Sequence, residues 1–153
     1  LAPEPEIMTI ITVMVVLAAA IFIIFWAVRF YKRKKMGFLD DMEGHEFEYF
    51  CAKLLKDSGF IDVEVTKGSG DYGVDILAEK DGVKYAIQCK CYSSDLGNKP
   101  VQEVNTGKVI YHCHVGVVVT NRHFTQGAKE AAEATGVLLW DREKLQSMIE
   151  ACS

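Results

Sequence analysis

The amino-acid sequence predicts an α/β domain with elements in the order α-β-β-β-α-β-α-β-α, preceded by one transmembrane helix. Three observations carry the prediction. Residues 7–28 hold no charge and only Thr9 and Thr12 as polar breaks, and at about 1.5 Å per residue a helix of that length crosses a hydrocarbon core of about 30 Å. Two short apolar runs within 74–90 are joined by Asp81-Gly82, a strong hairpin signal. Further on, the β-branched run at 114–120 and the short apolar run at 137–140 alternate with segments of helical period.

The length of 153 residues accommodates one ordinary domain with an appendage. The boundaries follow from charge. Residues 1–6 carry two acids and two prolines, whereas Arg29, Lys32, Arg33, Lys34 and Lys35 follow the apolar run. The positive-inside rule then gives a single-pass protein of the cell membrane, with 1–6 outside, 7–28 spanning, 29–37 a basic juxtamembrane linker and 38–153 a cytoplasmic domain. Trp26 and Tyr31 suit the inner interface. A cleaved secretory signal is the main competitor, and it would want a basic start and a shorter apolar run. Residues 18–20 are small enough to mimic its cleavage site, but the apolar run continues to Val28.

In the domain, a helix over 42–57 is expected from Phe47, Phe50, Cys51, Leu54 and Leu55 at helical spacing, stopped by Ser58-Gly59. Glu46 and Glu48 flank that stripe on opposite sides. A first strand at 61–66 alternates, 67–72 is a loop, and the strands of the hairpin are expected at 74–79 and 83–90. Residues 91–99 read as a loop, and Pro100 suits the first turn of a helix whose buried side is Val101, Val104 and Val109, weakened by Gly107. The run 114–120 suits a strand covered on both faces. A helix marked by Phe124, Ala128, Ala131 and Ala132 ends at Gly136, and after the last strand Asp141 caps a helix bearing Leu145, Met148 and Ile149.

Five cysteines, Cys51, Cys89, Cys91, Cys113 and Cys152, form no regular framework and read as free thiols of a cytoplasmic domain. From Phe38 onward twelve lysines and arginines face nineteen acids, a net charge of −7. That balance opposes binding nucleic acid by electrostatics alone.

If Lys80 pairs with Val83, then Asp75 lies opposite Gln88, and Lys90 shares the face of Gln88 because strand side chains alternate. Burying these groups costs free energy unless they pair or bind something. Phosphodiester hydrolysis asks for a divalent cation, an activated water and a nearby positive charge. Asp75 supplies a hard oxygen ligand for magnesium, Gln88 and the backbone carbonyl of Cys89 supply neutral oxygens, and Lys90 sits where it would orient or deprotonate water. A Glu48 reaching in would add a second carboxylate. The same trio reads equally well as an Asp75–Lys90 ion pair bridging the hairpin, and a three-residue turn would place Asp75 and Gln88 on opposite faces. Cys89 and Cys91 with the run 112–114 lack the usual zinc-ligand spacings, and strand alternation turns both cysteines away from Gln88 and Lys90. His45 and His123 read as surface residues without a partner.

The ordered series GHEFEYF, GDYGVDI, IQCK, VQEV and VVVTNRHFTQGA, over about residues 44–144, resembles the Mrr-like branch of the restriction endonuclease-like nucleases. The resemblance implies a restriction endonuclease-like fold, a mixed central sheet flanked by helices, with a metal site using Mg2+ or Mn2+. It implies Asp75 as metal ligand, Gln88 in place of the acid of the commoner D-then-E-x-K arrangement, Lys90 as the catalytic lysine and Glu48 as the helix glutamate. The expected activity is endonucleolytic cleavage of DNA, in restriction of foreign or modified DNA, with RNA open as a substrate. Two-strand cutting needs two sites or two successive nicks, which is compatible with a homodimer. The competing expectation is a silent module that binds nucleic acid or protein at the membrane, suggested by the acidic balance and by Gln88.

Overall fold

The computed structural model describes residues 5–67, 70 and 72–152. The chain divides into two compact units, Leu1–Gly37 and Phe38–Ser153. The first contains one helix, α1 (Pro5–Lys35). Its segment Glu6–Tyr31 is long and apolar enough to cross a membrane, and none of its most apolar stretch is buried within the chain. The hydroxyl of Thr12 donates to the Met8 carbonyl oxygen at 2.8 Å, so this polar group is satisfied inside the helix.

A 3₁₀ turn, Gly37–Asp40, leads into the second unit. The unit continues through α2 (Gly44–Asp57), β1 (Ile61–Val65), β2 (Ile76–Lys80), β3 (Val83–Lys90), α3 (Lys99–Ile110), β4 (Val115–Thr120), α4 (Gln126–Thr135), β5 (Leu138–Trp140) and α5 (Arg142–Ala151). This is the expected order. Helix α2 begins two residues later than its periodicity suggests, because Glu43 and Glu46 form a reciprocal capping box in which Glu46 accepts from the Glu43 amide at 3.0 Å. Asp141 caps α5 as expected, accepting from the amides of Glu143 and Lys144.

The five strands form one sheet in the order β1-β2-β3-β4-β5. β1, β2 and β3 pair antiparallel, whereas β3 with β4 and β4 with β5 pair parallel. Lys80 pairs with Val83, and Asp81 and Gly82 both have positive φ, 52° and 76°, as a two-residue type I′ turn requires. The two faces of the sheet are filled differently. Val118 packs with Val101 and Val104 of α3 and with Ala128 and Ala132 of α4. On the other face, Val119 and Trp140 meet Cys51, Leu54 and Leu55 of α2 and Leu145 of α5.

Gly107 explains how α3 comes so close to the hairpin. A Cβ there would lie 2.4 Å from Val74 Cγ2 and 2.8 Å from the Tyr72 carbonyl oxygen, so the residue that weakens the helix also lets it seat against the segment leading into Asp75. An interior Gly→Ala change ordinarily stabilises a helix by about 1 kcal/mol. Gly107→Ala is expected to do the reverse, costing about 1–3 kcal/mol through overpacking. Gly127→Ala in α4, where a Cβ would meet nothing, is expected to be neutral or to stabilise by up to about 1 kcal/mol. Thermal unfolding of both variants of the full chain in detergent checks the contrast.

Candidate active site

Strand β3 carries Gln88 and Lys90 two residues apart, hence on one face, in parallel register with Val118 and Thr120. That is the face covered by α3. Gln88 is only 1 % exposed, and its Nε2 donates to Glu103 Oε2 on α3 at 2.9 Å. Its Oε1 is buried and, among the described residues, has no hydrogen-bond partner. Turning the amide over would set two oxygens against each other at the same distance, so the contact with Glu103 fixes which end is which. Gly73 closes the pair from a third side. Its φ is +75°, and a Cβ on it would lie 2.9 Å from Glu103 Cβ and 3.0 Å from Gln88 Nε2.

Asp75 does not sit directly opposite Gln88 in a regular ladder, as the hairpin register had implied. The last rung joins Ile76 to Ile87, so β2 starts two residues later than expected. The reason is a competing set of hydrogen bonds. The Asp75 amide donates to the Ile87 carbonyl oxygen at 2.8 Å, the Asp75 carbonyl accepts from the Thr66 amide at 2.9 Å, and Thr66 Oγ1 donates to the Val74 carbonyl oxygen at 2.7 Å. In place of a backbone rung, the Asp75 carboxylate accepts the Cys89 amide through Oδ2 at 2.7 Å. The carboxylate is thereby held beside β3 at the residue between Gln88 and Lys90. The amide and carbonyl of one strand residue point the same way, so the Cys89 carbonyl faces the same side, beyond the end of the ladder.

Glu48 reaches this region from α2, on the opposite face of the sheet. Its side chain is 19 % exposed and lies 3.2 Å from His45 Nδ1. His45 therefore has a partner, contrary to expectation, and so does His123, 3.5 Å from Asp141 Oδ2. Glu46, the other candidate on this helix, is spent on the capping box. The hydrogen bond of the Cys89 thiol with Cys51, its burial and the nearby Cys51 push it well above the ordinary thiol range, and the carboxylates of Asp75 and Glu48 add to that shift. Both acids thus act on one sulfur at the end of β3.

Lys90, half-buried, lines a cavity of about 320 Å³ together with Tyr92, Asp95, Lys99 and Glu103. The exit of β3 is tied to that of β4. Asn121 accepts the Tyr92 amide at 2.9 Å and donates to the Tyr92 carbonyl and to Asp40 Oδ1, both at 3.1 Å. Arg142 donates to the same Asp40 oxygen at 2.7 Å. Burial would raise the Asp40 carboxyl, but the hydrogen bond and charge of Arg142, with Arg122 and Asn121, outweigh it and hold it below the usual range.

The structure thus gathers Asp75, Gln88 and the Cys89 backbone at the mouth of β3, with Lys90 on the same face as Gln88 and Glu48 approaching from behind. Among the described residues no three His, Cys, Asp or Glu side chains converge. The donors on hand are two carboxylates and two neutral oxygens, a set that suits magnesium, which keeps several waters and asks for one or two carboxylates. The cysteines serve other contacts, since Cys91 Sγ donates to the carbonyls of Leu39 and Met42 at 3.4 and 3.3 Å. Glu103 is the neighbour that sequence reasoning missed. Its only signal was a glutamate flanked by Val101 and Val104, the residues expected on the buried side of that helix.

Residues 39–149 match the family model of the Mrr_cat restriction endonuclease domain. No curated protein matches the chain. Among solved structures it is similar to AspBHI, a DNA modification-dependent restriction endonuclease, with a TM-score of 0.60 and 19 % identity over 78 % of this chain and 35 % of that one. The MspJI restriction endonuclease, solved in complex with a 27-mer oligonucleotide, gives 0.53 and 20 % identity over 78 % of this chain and 30 % of that one. A protein of unknown function, AF1548, gives 0.58 and 21 % identity over 68 % of this chain and 64 % of that one. The chain spans about a third of the length of the two enzymes, and at these identities the likeness is one of fold.

Proposed function

Because the chain belongs to the Mrr_cat restriction endonuclease family, we propose that it is a membrane-anchored, divalent-metal-dependent endonuclease that hydrolyses phosphodiester bonds in DNA, in restriction of foreign or modified DNA. The observation that carries the reading is the buried Gln88 Oε1, without a hydrogen-bond partner among the described residues, near the strand end where the Asp75 carboxylate is held. A buried carbonyl oxygen without a partner costs about 1–3 kcal/mol, and a cation at that point would satisfy it.

Asp75, Gln88 Oε1, the Cys89 carbonyl and Glu48 would hold Mg2+ or Mn2+. When bound, the ion supplies charge neutralisation at the phosphodiester and a lowered pKa for water. Asp75 is kept in place by the Cys89 amide, which holds its carboxylate beside the end of β3. Lys90 projects from the adjacent position on β3 into the open cavity, where its ammonium would meet the scissile phosphate or orient the attacking water. The domain's negative charge makes the cation and the few local cations, Lys90 and Lys99 among them, the means by which a polyanion is held there.

DNA is the substrate favoured by the neighbours, one described as dependent on DNA modification and one solved with an oligonucleotide. Helix α1 would confine cutting to the membrane surface. The test uses the full chain in detergent micelles with supercoiled plasmid and with single- and double-stranded RNA of matched sequence, each with Mg2+, Mn2+ or EDTA. Nicked or linear plasmid formed only with metal is the expected result. RNA cleavage with intact DNA would move the substrate to RNA, and metal-dependent binding without any cleavage would leave a silent binding module.

A further inference from the structure

Glu103 is not among the groups that would hold the cation, yet among the described residues it makes the hydrogen bond that determines how the buried Gln88 amide is turned. We propose that Glu103 is a positioning residue. By accepting from Gln88 Nε2 it presents Gln88 Oε1, and not the NH2 group, to the divalent cation; the inference rests on the metal-dependent reading above. Gln88 is 1 % exposed, so bulk water does not reach it. The amide dipole favours the carbonyl end toward a cation once the ion is bound, and the bond to Glu103 fixes that orientation beforehand. Glu103 settles the choice because a carboxylate only accepts, and its Oε2 lies 2.9 Å from Nε2.

The rest of the neighbourhood keeps Glu103 in that role. Its other oxygen is 3.7 Å from Lys99 Nζ, one turn earlier on the exposed side of α3, so one oxygen is directed inward and one outward. Any Cβ at position 73 would press on both Glu103 Cβ and Gln88 Nε2. Glycine there leaves the pair its room. The 13-residue separation of Glu103 from Lys90 spans a loop and the first turn of α3, and the bond to Gln88 crosses from helix to sheet.

The test follows the Gln88 side-chain amide by NMR in metal-free full chain, labelled with 15N-glutamine in detergent micelles and assigned with Gln88→Ala, alongside Mn2+ binding measured by electron paramagnetic resonance. In the parent one Gln88 amide proton should be shifted downfield and exchange slowly. Glu103→Ala should abolish that signature and weaken Mn2+ binding by about 10–100-fold, the range for losing a contact behind a metal ligand. Glu103→Gln, whose side-chain oxygen can still accept, should keep the signature and bind Mn2+ within a few-fold of the parent. A Gln88 signal unaltered by Glu103→Ala, or a Glu103→Gln variant as weak as Glu103→Ala, overturns the positioning role. A parent chain that shows the amide signature but binds no Mn2+ overturns the metal reading beneath it.

Discussion

Asp75→Asn is expected to stop DNA cleavage while leaving the fold as stable as before. The asparagine oxygen can still accept the Cys89 amide that Asp75 Oδ2 holds at 2.7 Å, so the backbone at the end of β3 keeps its partner. What disappears is a negative charge at the place where a divalent cation is to be held. Removing a charged oxygen ligand is expected to lower the rate by about 10³-fold or more, since preorganised charge of this kind contributes several kcal/mol to the transition state. Asp75→Ala should lose the same activity and also about 1–3 kcal/mol of stability, because the Cys89 amide is then left unpaired inside the protein. Lys90→Met, which keeps the aliphatic stem and removes the ammonium, should cut the rate by about 10²–10³-fold with unfolding unchanged. Single-turnover plasmid nicking and thermal unfolding, measured on the same preparations, separate charge from structure. An Asp75→Asn protein that cuts at the parental rate would exclude Asp75 from the chemistry.

The hairpin shows how far such an argument can start from sequence. Asp81-Gly82 determines a two-residue turn, the turn determines the pairing of Lys80 with Val83, and strand alternation then places Gln88 and Lys90 on one face. These steps depend on local backbone geometry, and the structure follows them. The position of Asp75 does not depend on backbone geometry alone. Its carboxylate competes for the Cys89 amide, and its own amide and carbonyl go to Ile87 and Thr66, so the regular ladder stops one rung short. Asp75 is still brought to β3, at Cys89 next to Gln88 in the chain, but by a side-chain hydrogen bond that periodicity does not encode.

Contacts between helix and sheet were less legible. Glu103 meets Gln88 across a loop whose path depends on packing, and Gly107 looked like a flaw in α3 until the nearness of Val74 and Tyr72 gave it a purpose. His45 is a different case. Its spacing of three from Glu48 already places the two on one side of a helix, and reading the histidine as a partnerless surface residue overlooked that. On the same helix, the distinction between Glu46 and Glu48 needed the N-cap, because only the capping box shows Glu46 to be engaged elsewhere.

Three arginines at the centre of α1, Val16→Arg, Ala18→Arg and Ala20→Arg together, are expected to release the protein from the membrane. Residues 7–28 contain thirteen isoleucine, leucine, phenylalanine and valine residues, which on the insertion scale contribute about −4 to −8 kcal/mol. Each arginine at a helix centre opposes insertion by about 2.5–3.5 kcal/mol, so three reverse the balance. None of the most apolar stretch of α1 is buried within the chain, and exposed apolar surface of that extent marks a protein or membrane interaction site. The parent should therefore remain in the membrane pellet after alkaline carbonate extraction, and the triple variant should move to the supernatant. Metal-dependent nicking per molecule should survive in the variant, because no substitution lies in the unit Phe38–Ser153 that carries the site. Mass spectrometry of the chain from cells decides against the other reading of the same segment: a product lacking the residues before position 21 would show a cleaved leader, and the anchoring role would fall with it.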